Sequence, residues 1–201
     1  MTATSPVPKS PARRRLLAAG LGMGMGIGAV PAQADGDVQA LLQAGGVVIA
    51  FRHATAPGTF DPPQFRLGDC STQRNLSEAG RAQARRLGEW FAQRQLQPAQ
   101  VKSSPWCRCI DTAALAFRPP QVWPALGSPH GAPETTGAGH LRELRDALQR
   151  ASQRPGQFEV WVTHMFVLQD LAEAHTQSEE GLVLQTQASG TTRLLARLLI
   201  A

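Results

Sequence analysis

Arg52 and His53 close the apolar run Val47-Val48-Ile49-Ala50-Phe51, and loop residues Thr55, Pro57 and Gly58 follow. A short β-branched and aromatic run bounded by turn residues predicts a buried strand. A cation and an imidazole therefore stand where a strand ends, the edge at which open α/β sheets bind ligands. The pair suits a phosphate: a guanidinium grips oxygens in a bidentate fork, and a neutral imidazole can attack phosphorus. One Arg-His pair alone is an ordinary surface dipeptide, so the argument rests on recurrence. Val160-Trp161-Val162-Thr163-His164 predicts a second strand ending in histidine. Between them, Val101-Lys102-Ser103-Ser104-Pro105-Trp106-Cys107-Arg108 runs from a short strand toward Asp111-Thr112-Ala113-Ala114, a helix start with Arg108 near its N-terminus. Two histidines and two arginines thus lie at three strand ends, which a parallel sheet would bring to one edge. A helix N-terminus there adds unpaired N–H groups and partial positive charge, both suited to an anion.

The elements that must position these groups alternate strand and helix. Ser77 is an N-cap for a helix to about Gln95, with Ala84, Leu87, Trp90 and Phe91 on one face. A second helix starts near Pro105 and ends before Pro119-Pro120. Residues Arg118 to Gly139, rich in Pro, Gly, Ser and Thr without periodicity, predict a long functional loop or lid. Leu141, Leu144 and Leu148 mark a third helix ended by Pro155-Gly156, and Phe166 to Ala174 a fourth. Leu182-Val183-Leu184 and Arg193 to Ile200 predict closing strands joined near Ser189-Gly190. The alternation predicts an α/β fold: a helix-covered, mainly parallel sheet in a three-layer α/β/α sandwich.

Composition bounds the rest. Lys9 and Arg13-Arg14-Arg15, a weakly apolar glycine-rich stretch from Leu16 to Val30, and Ala32-Gln33-Ala34 predict a secretory signal peptide over residues 1–34. Its paired arginines also resemble a twin-arginine leader; an uncleaved N-terminal anchor is the alternative. The expected location is periplasmic or secreted, with no membrane span after cleavage. The chain holds 20 Lys+Arg and 15 Asp+Glu, but four of those bases and none of the acids lie in the leader. Residues 35–201 then carry 16 bases against 15 acids, so the precursor's positive charge is no argument for nucleic-acid binding. That length suits one well-buried domain. Cys70, Cys107 and Cys109 in an oxidising compartment predict a disulfide from Cys70 to Cys107 or Cys109, with a Cys-x-Cys metal site as the weaker alternative. His130, His140 and His175 do not form a zinc set by spacing.

Four stretches resemble the histidine phosphatase superfamily, the phosphoglycerate mutase-like fold: Phe51 to Ala54, Asn75 to Ala84, Ser103 to Ala113 and Val162 to His164. They stand in the family's order between about residues 46 and 184, and Asp69 to Ser77 resembles the small exported bacterial members. One departure is Ala54, where the family signature carries glycine, so the loop must follow a path that alanine tolerates. The resemblance implies a histidine phosphatase domain over residues 35–201. His53 would be the nucleophile, forming a phosphohistidine, with Arg52, Arg108 and His164 holding the transferring group. Such transfer is positioning plus charge stabilisation, so no metal or cofactor is expected.

A general acid of raised pKa is wanted for the leaving oxygen. Glu134 is preferred, and Glu180 is the alternative, in a segment typical of the exported subgroup. Asp111, one turn from Arg108, is expected to pair with that arginine or to serve the helix N-terminus. Thr55, Gln73, Arg74 and Glu180 are expected at the substrate. The expected partner is a small phosphorylated molecule, a sugar phosphate or an envelope glycan phosphate, chosen by the loop 118–139. The rivals are a mutase and a catalytically silent phosphate- or phosphoglycan-binding protein on the same fold.

Overall fold

The computed structural model describes residues 1–2, 35–129 and 134–200. Apart from Met1 and Thr2, the expected leader with its cleavage site lies outside the described residues, as does His130. The chain divides into the units Met1–Pro31 and Ala32–Ala201, and the second holds the fold.

Helix α1 (Asp35–Ala44) leads into strand β1 (Val47–Arg52), then α2 (Glu78–Gln93), β2 (Gln100–Ser103), α3 (Cys107–Ala116) and β3 (Gln121–Val122). Helix α4 (Glu134–Ser152), β4 (Phe158–Thr163), α5 (Met165–Ala172), β5 (Gly181–Thr186) and β6 (Thr192–Leu198) complete it. One six-stranded sheet runs β3-β2-β4-β1-β5-β6. The β3-β2, β2-β4 and β4-β1 pairs are parallel, and β5 and β6 close the other edge antiparallel.

Strand side chains alternate between faces, and β1 feeds both layers. Val47, Ile49 and Phe51 join a core with Val38 and Leu42 of α1, Leu87, Trp90 and Phe91 of α2, and Ala113 of α3. Val48 and Ala50 join the opposite core with Leu144 and Leu148 of α4 and Leu168 and Leu171 of α5. A strand buried on both faces is mainly apolar, as β1 is up to Arg52 and as β4 is apart from Thr163 and Glu159, whose carboxylate accepts from Lys102 and Trp161. The three-layer sandwich is therefore as expected. Ser77 caps α2, its hydroxyl accepting the Gly80 N–H at 3.0 Å. A Cβ at Gly80 would overlap the Thr55 carbonyl, so glycine there lets α2 seat against the loop that leaves β1.

Two expectations about segments are corrected. The stretch 118–139 is not one long loop: it holds β3, a 3-10 turn at Pro124–Leu126 and the start of α4. Gly137, Gly139 and two threonines hid the first turns of that helix from periodicity, whereas the Leu144 and Leu148 face holds it to the sheet. Helix α1 was not anticipated, because its ten residues offer little beyond Val38 and Leu42 as apolar anchors.

The disulfide joins Cys70 to Cys107, and Cys109 is free and buried. It ties the 3-10 turn Cys70–Thr72 to the first residue of α3. Closing a loop of 37 residues restricts the unfolded chain by about 3–4 kcal/mol. Cys70→Ser should cost stability of that order in urea unfolding; a loss under about 1 kcal/mol would show that the constraint is not felt.

Glu179 locks the end of β1: its N–H donates to the Arg52 and His53 carbonyls at 3.1 and 3.3 Å. It does so at φ 65°, a left-handed backbone that glycine adopts more readily. Burial raises its carboxyl from 4.5 to about 8, with Arg86 opposing the shift, and Oε1 has no hydrogen-bond partner. A folded-state value above the unfolded one means that stability is full below about 4.5 and falls as pH rises through about 8. Glu179→Gln should match wild type in thermal midpoint near pH 4 and exceed it by about 2–4 °C near pH 9. A difference independent of pH would sink this assignment.

Candidate active site

Strand register assembles the site. Arg52 is opposite Thr163 in the parallel β1-β4 pair, and the His53 N–H donates to the Thr163 carbonyl at 3.0 Å. His53 and His164, the next residues along each chain, are thereby neighbours, with ring centroids 5.6 Å apart. Strand β2 flanks β4, and the Ser104 N–H donates to the Val162 carbonyl at 2.9 Å. Chain leaving β2 then delivers Trp106 and, in the first turn of α3, Arg108.

The His53 tautomer is set by its partners. His53 donates from Nδ1 to the Ala54 carbonyl at 2.7 Å, and its Nε2 accepts from Arg108 Nε at 3.2 Å. The ring's lone pair is thus on Nε2. Burial drives the His53 pKa down to about 3, with the Ala54 bond opposing and Arg108, Arg74 and Arg52 adding to the fall. Burial and the same cations, with His53, push His164 well below the ordinary value. The Ser104 hydroxyl accepts the Trp106 N–H at 3.3 Å and meets His164 Nε2 at 2.8 Å.

Three guanidiniums share one cavity of about 490 Å³ with both histidines: Arg52, Arg74 and Arg108. Arg52 is anchored by a 2.8 Å bond from Nη1 to the Thr176 carbonyl, and Arg74 by a 2.6 Å bond to the Ala56 carbonyl. Arg74 Nε is buried without a hydrogen-bond partner. Asp61 sits against this group: it accepts from Arg108 Nη1 at 2.8 Å, the Arg74 N–H at 3.0 Å and Trp106 Nε1 at 3.1 Å. Partial burial opposes its ionisation, but those hydrogen bonds and the Arg108 charge outweigh it and hold Asp61 below the usual carboxylate range. The arrangement, partly desolvated cations around a neutral imidazole, can hold an anion and present a lone pair to it.

Of the residues expected from sequence, His53, Arg52, Arg108, His164 and Arg74 line the cavity together. Thr55, Gln73 and Glu180 do not line it. Thr55 donates to Gln83 Oε1 from its backbone N–H and from its hydroxyl, binding the loop after β1 to α2. Gln73 accepts the Cys107 N–H at 3.0 Å and donates to the Arg66 carbonyl, bracing the start of α3. Glu180 pairs with Arg197 at 2.6 Å and accepts the Gln177 N–H. Glu134 is the first residue of α4, and its side chain lies outside the described residues. Asp111 is a correction: it pairs with Arg81 at 3.3 Å, while Arg108 pairs with Asp61, because α3 turns Asp111 toward α2 and Arg108 toward the cavity. Ala54 is fully buried, is not among the positive-φ residues, and donates to Thr112 Oγ1, so the loop takes a path open to alanine.

Sequence reasoning missed Asp61 together with the aromatic wall of Phe60, Phe65, Trp106 and Phe166. An acid in a Gly/Pro-rich loop shortly after His53 was the available signal, since such loops carry function. Among the described residues no group of three His, Cys, Asp or Glu could hold a metal ion. None of the described helices is long and apolar enough to cross a membrane.

No curated protein matches the chain. Solved structures share its fold. The protein histidine phosphatase SixA complexed with tungstate aligns with a TM-score of 0.51 at 17% identity, over 76% of this chain and 96% of that one. A mycobacterial glucosyl-3-phosphoglycerate phosphatase complexed with VO3 aligns at 0.54 and 20%, over 75% and 97%. A phosphoserine phosphatase mutant from Entamoeba histolytica, in complex with phosphoserine, aligns at 0.53 and 12%, over 75% and 95%. Residues 49–158, more than half of the chain, match the family model directly. With paired strand-end histidines among three arginines of one cavity and that match across the segment that carries most of them, the chain belongs to the histidine phosphatase superfamily, branch 1.

Proposed function

We propose that this chain is an exported phosphatase that hydrolyses a phosphate monoester through a phosphohistidine on His53. One observation carries the reading: His53, its Nδ1 proton committed to Ala54, presents Nε2 in a cavity shared by three guanidiniums. Two fold relatives are complexed with the oxyanions tungstate and VO3, which supports a phosphate-like ligand for this chain. Location outside the cytoplasm rests on the leader-like residues 1–34.

Arg52, Arg74 and Arg108 grip the non-bridging oxygens, and His164 is a neutral donor beside them. The Nε2 lone pair attacks phosphorus as the bond to the leaving oxygen breaks. That oxygen takes its electron pair and a proton from a carboxyl group. Water then attacks the phosphohistidine, its proton passes to the carboxylate, and the P–N bond pair returns to Nε2, releasing inorganic phosphate. Among the described residues Asp61 is the carboxylate in the cavity wall. It is ionised while Arg108 holds it, but a bound phosphate dianion competes for that arginine and raises the proton affinity of Asp61. Glu134 is the other candidate. Before substrate binds, three guanidiniums less the Asp61 carboxylate leave a net positive charge that attracts a phosphate monoester dianion.

His53→Ala should reduce turnover of an activated aryl phosphate at least about a thousandfold with the fold retained by circular dichroism. Rapid-quench mass spectrometry of wild type should show an acid-labile phosphoryl adduct on His53; wild-type rates in the variant would remove the nucleophile. Because His53 is neutral down to about pH 3, its protonation should not limit kcat/KM above about pH 4. Phosphate binding without turnover, in wild type and variant alike, is the result that a silent binding protein would give.

Asp61→Asn should slow an unactivated alkyl phosphate by about 100-fold or more and an activated aryl phosphate by much less. If Glu134→Gln shows that split and Asp61→Asn does not, the acid is Glu134.

A further inference from the structure

The cations of the cavity are fully used by one phosphate, yet the cavity extends well past them. Its volume of about 490 Å³ lies in the range that encloses a whole small-molecule ligand. Beyond the arginines the wall is aromatic: Phe60, Phe65, Trp106 and Phe166, with Met165 beside them. Among the described residues Thr59 and Ser128 supply its neutral hydroxyls, and no lysine lines it. Phe65 stacks on Trp106 with centroids 5.4 Å apart and planes at 20°. Trp106 in turn meets His164 edge-on at 5.0 Å, so the ring wall begins at the catalytic histidine. The indole N–H is already given to Asp61, which leaves the ring to make apolar contacts.

Phe60 and Phe166, 64% and 41% exposed, put two phenyl rings into water at this same site. Single exposed apolar residues are ordinary, but a contiguous apolar border to a cavity marks a binding surface. Its continuity with the phosphate site names the occupant: the alcohol portion of the substrate. A polyol placed there would lose water from several hydroxyls and recover few partners, a net cost. A flat ring would bury apolar area and meet aromatic faces and edges.

We propose that this site, on the phosphatase reading above, selects monophosphates whose alcohol carries a flat aromatic ring over open polyol phosphates. The selection acts in binding, so it is measurable without turnover.

The test is calorimetry of the whole folded domain with three non-hydrolysable phosphonates: 2-naphthylmethylphosphonate, methylphosphonate and 3,4-dihydroxybutylphosphonate. The naphthyl compound should bind at least about tenfold more tightly than either of the others. Phe60→Ala and Phe166→Ala, each checked for a retained fold by circular dichroism, should each bring that ratio toward unity. Leu67→Ala, another exposed apolar residue but outside the cavity wall, should leave it unchanged. Equal affinities, tighter binding of the dihydroxybutyl compound, or a ratio untouched by both Phe variants would overturn the proposal. Hydrolysis of benzyl phosphate and glycerol 2-phosphate, both with alkyl leaving oxygens, then reads selection free of leaving-group acidity. Ring-selective binding with no hydrolysis would leave this inference standing and remove the phosphatase reading instead.

Discussion

The register of β1 against β4 is the constraint on which the site depends. Arg52 faces Thr163, and the next residue on each strand is a histidine. A slip of one residue would turn every side chain of β1 to the other face, exchanging Val48 and Ala50 with Ile49 and Phe51 between the two cores. Both faces of β1 are buried, but they are filled by different helices, and Phe51 sits among Phe91 and Phe117 where only one face has room. Glu179 reinforces the register from the other side by tying the Arg52 and His53 carbonyls to the start of β5. Hydrophobic packing that stabilises the sandwich therefore also sets the separation of the two imidazoles.

Electrostatics follows from that placement. Burial of the histidines among three arginines makes the imidazolium forms costly, so both rings are neutral and one can be a nucleophile. The same concentration of positive charge needs an anion, and Asp61 provides it with three hydrogen bonds. Its hold on Arg108 is of the kind that a phosphate oxygen would make. The Cys70–Cys107 bridge and the Gln73 contact to Cys107 N–H keep the start of α3 in place, so Arg108 is presented by a braced helix end. Cys109, two residues on, is buried and its thiol is pushed up to about 12, chiefly by burial, which keeps it protonated beside His164.

The strand-end residues were legible because they combine local signals. Apolar runs of strand length ended in chemistry at His53 and His164, and Ser77 announced a helix that the structure caps there. Family-like motifs Phe51 to Ala54 and Ser103 to Ala113 carried fold and site together. Glu180 and Thr55 were read toward the substrate because sequence shows a polar residue near a motif, not the direction of its side chain. One faces Arg197 and the other Gln83. Helix α4 began earlier than periodicity allowed, because glycines at 137 and 139 weaken a local pattern that packing on the sheet restores.

By itself the sequence determined the α/β order, the strand termini and the residue types able to handle a phosphate, since these depend on local periodicity and on chemistry within a few residues. Tertiary structure decided which of those residues meet. It brought Asp61 to Arg108 across 47 positions, chose Cys107 over Cys109 for the bridge, and raised an aromatic wall from Phe60, Trp106 and Phe166, three separate segments. Such contacts are set by the packing of helices on both faces of one twisted sheet, a global condition that no short window of sequence contains.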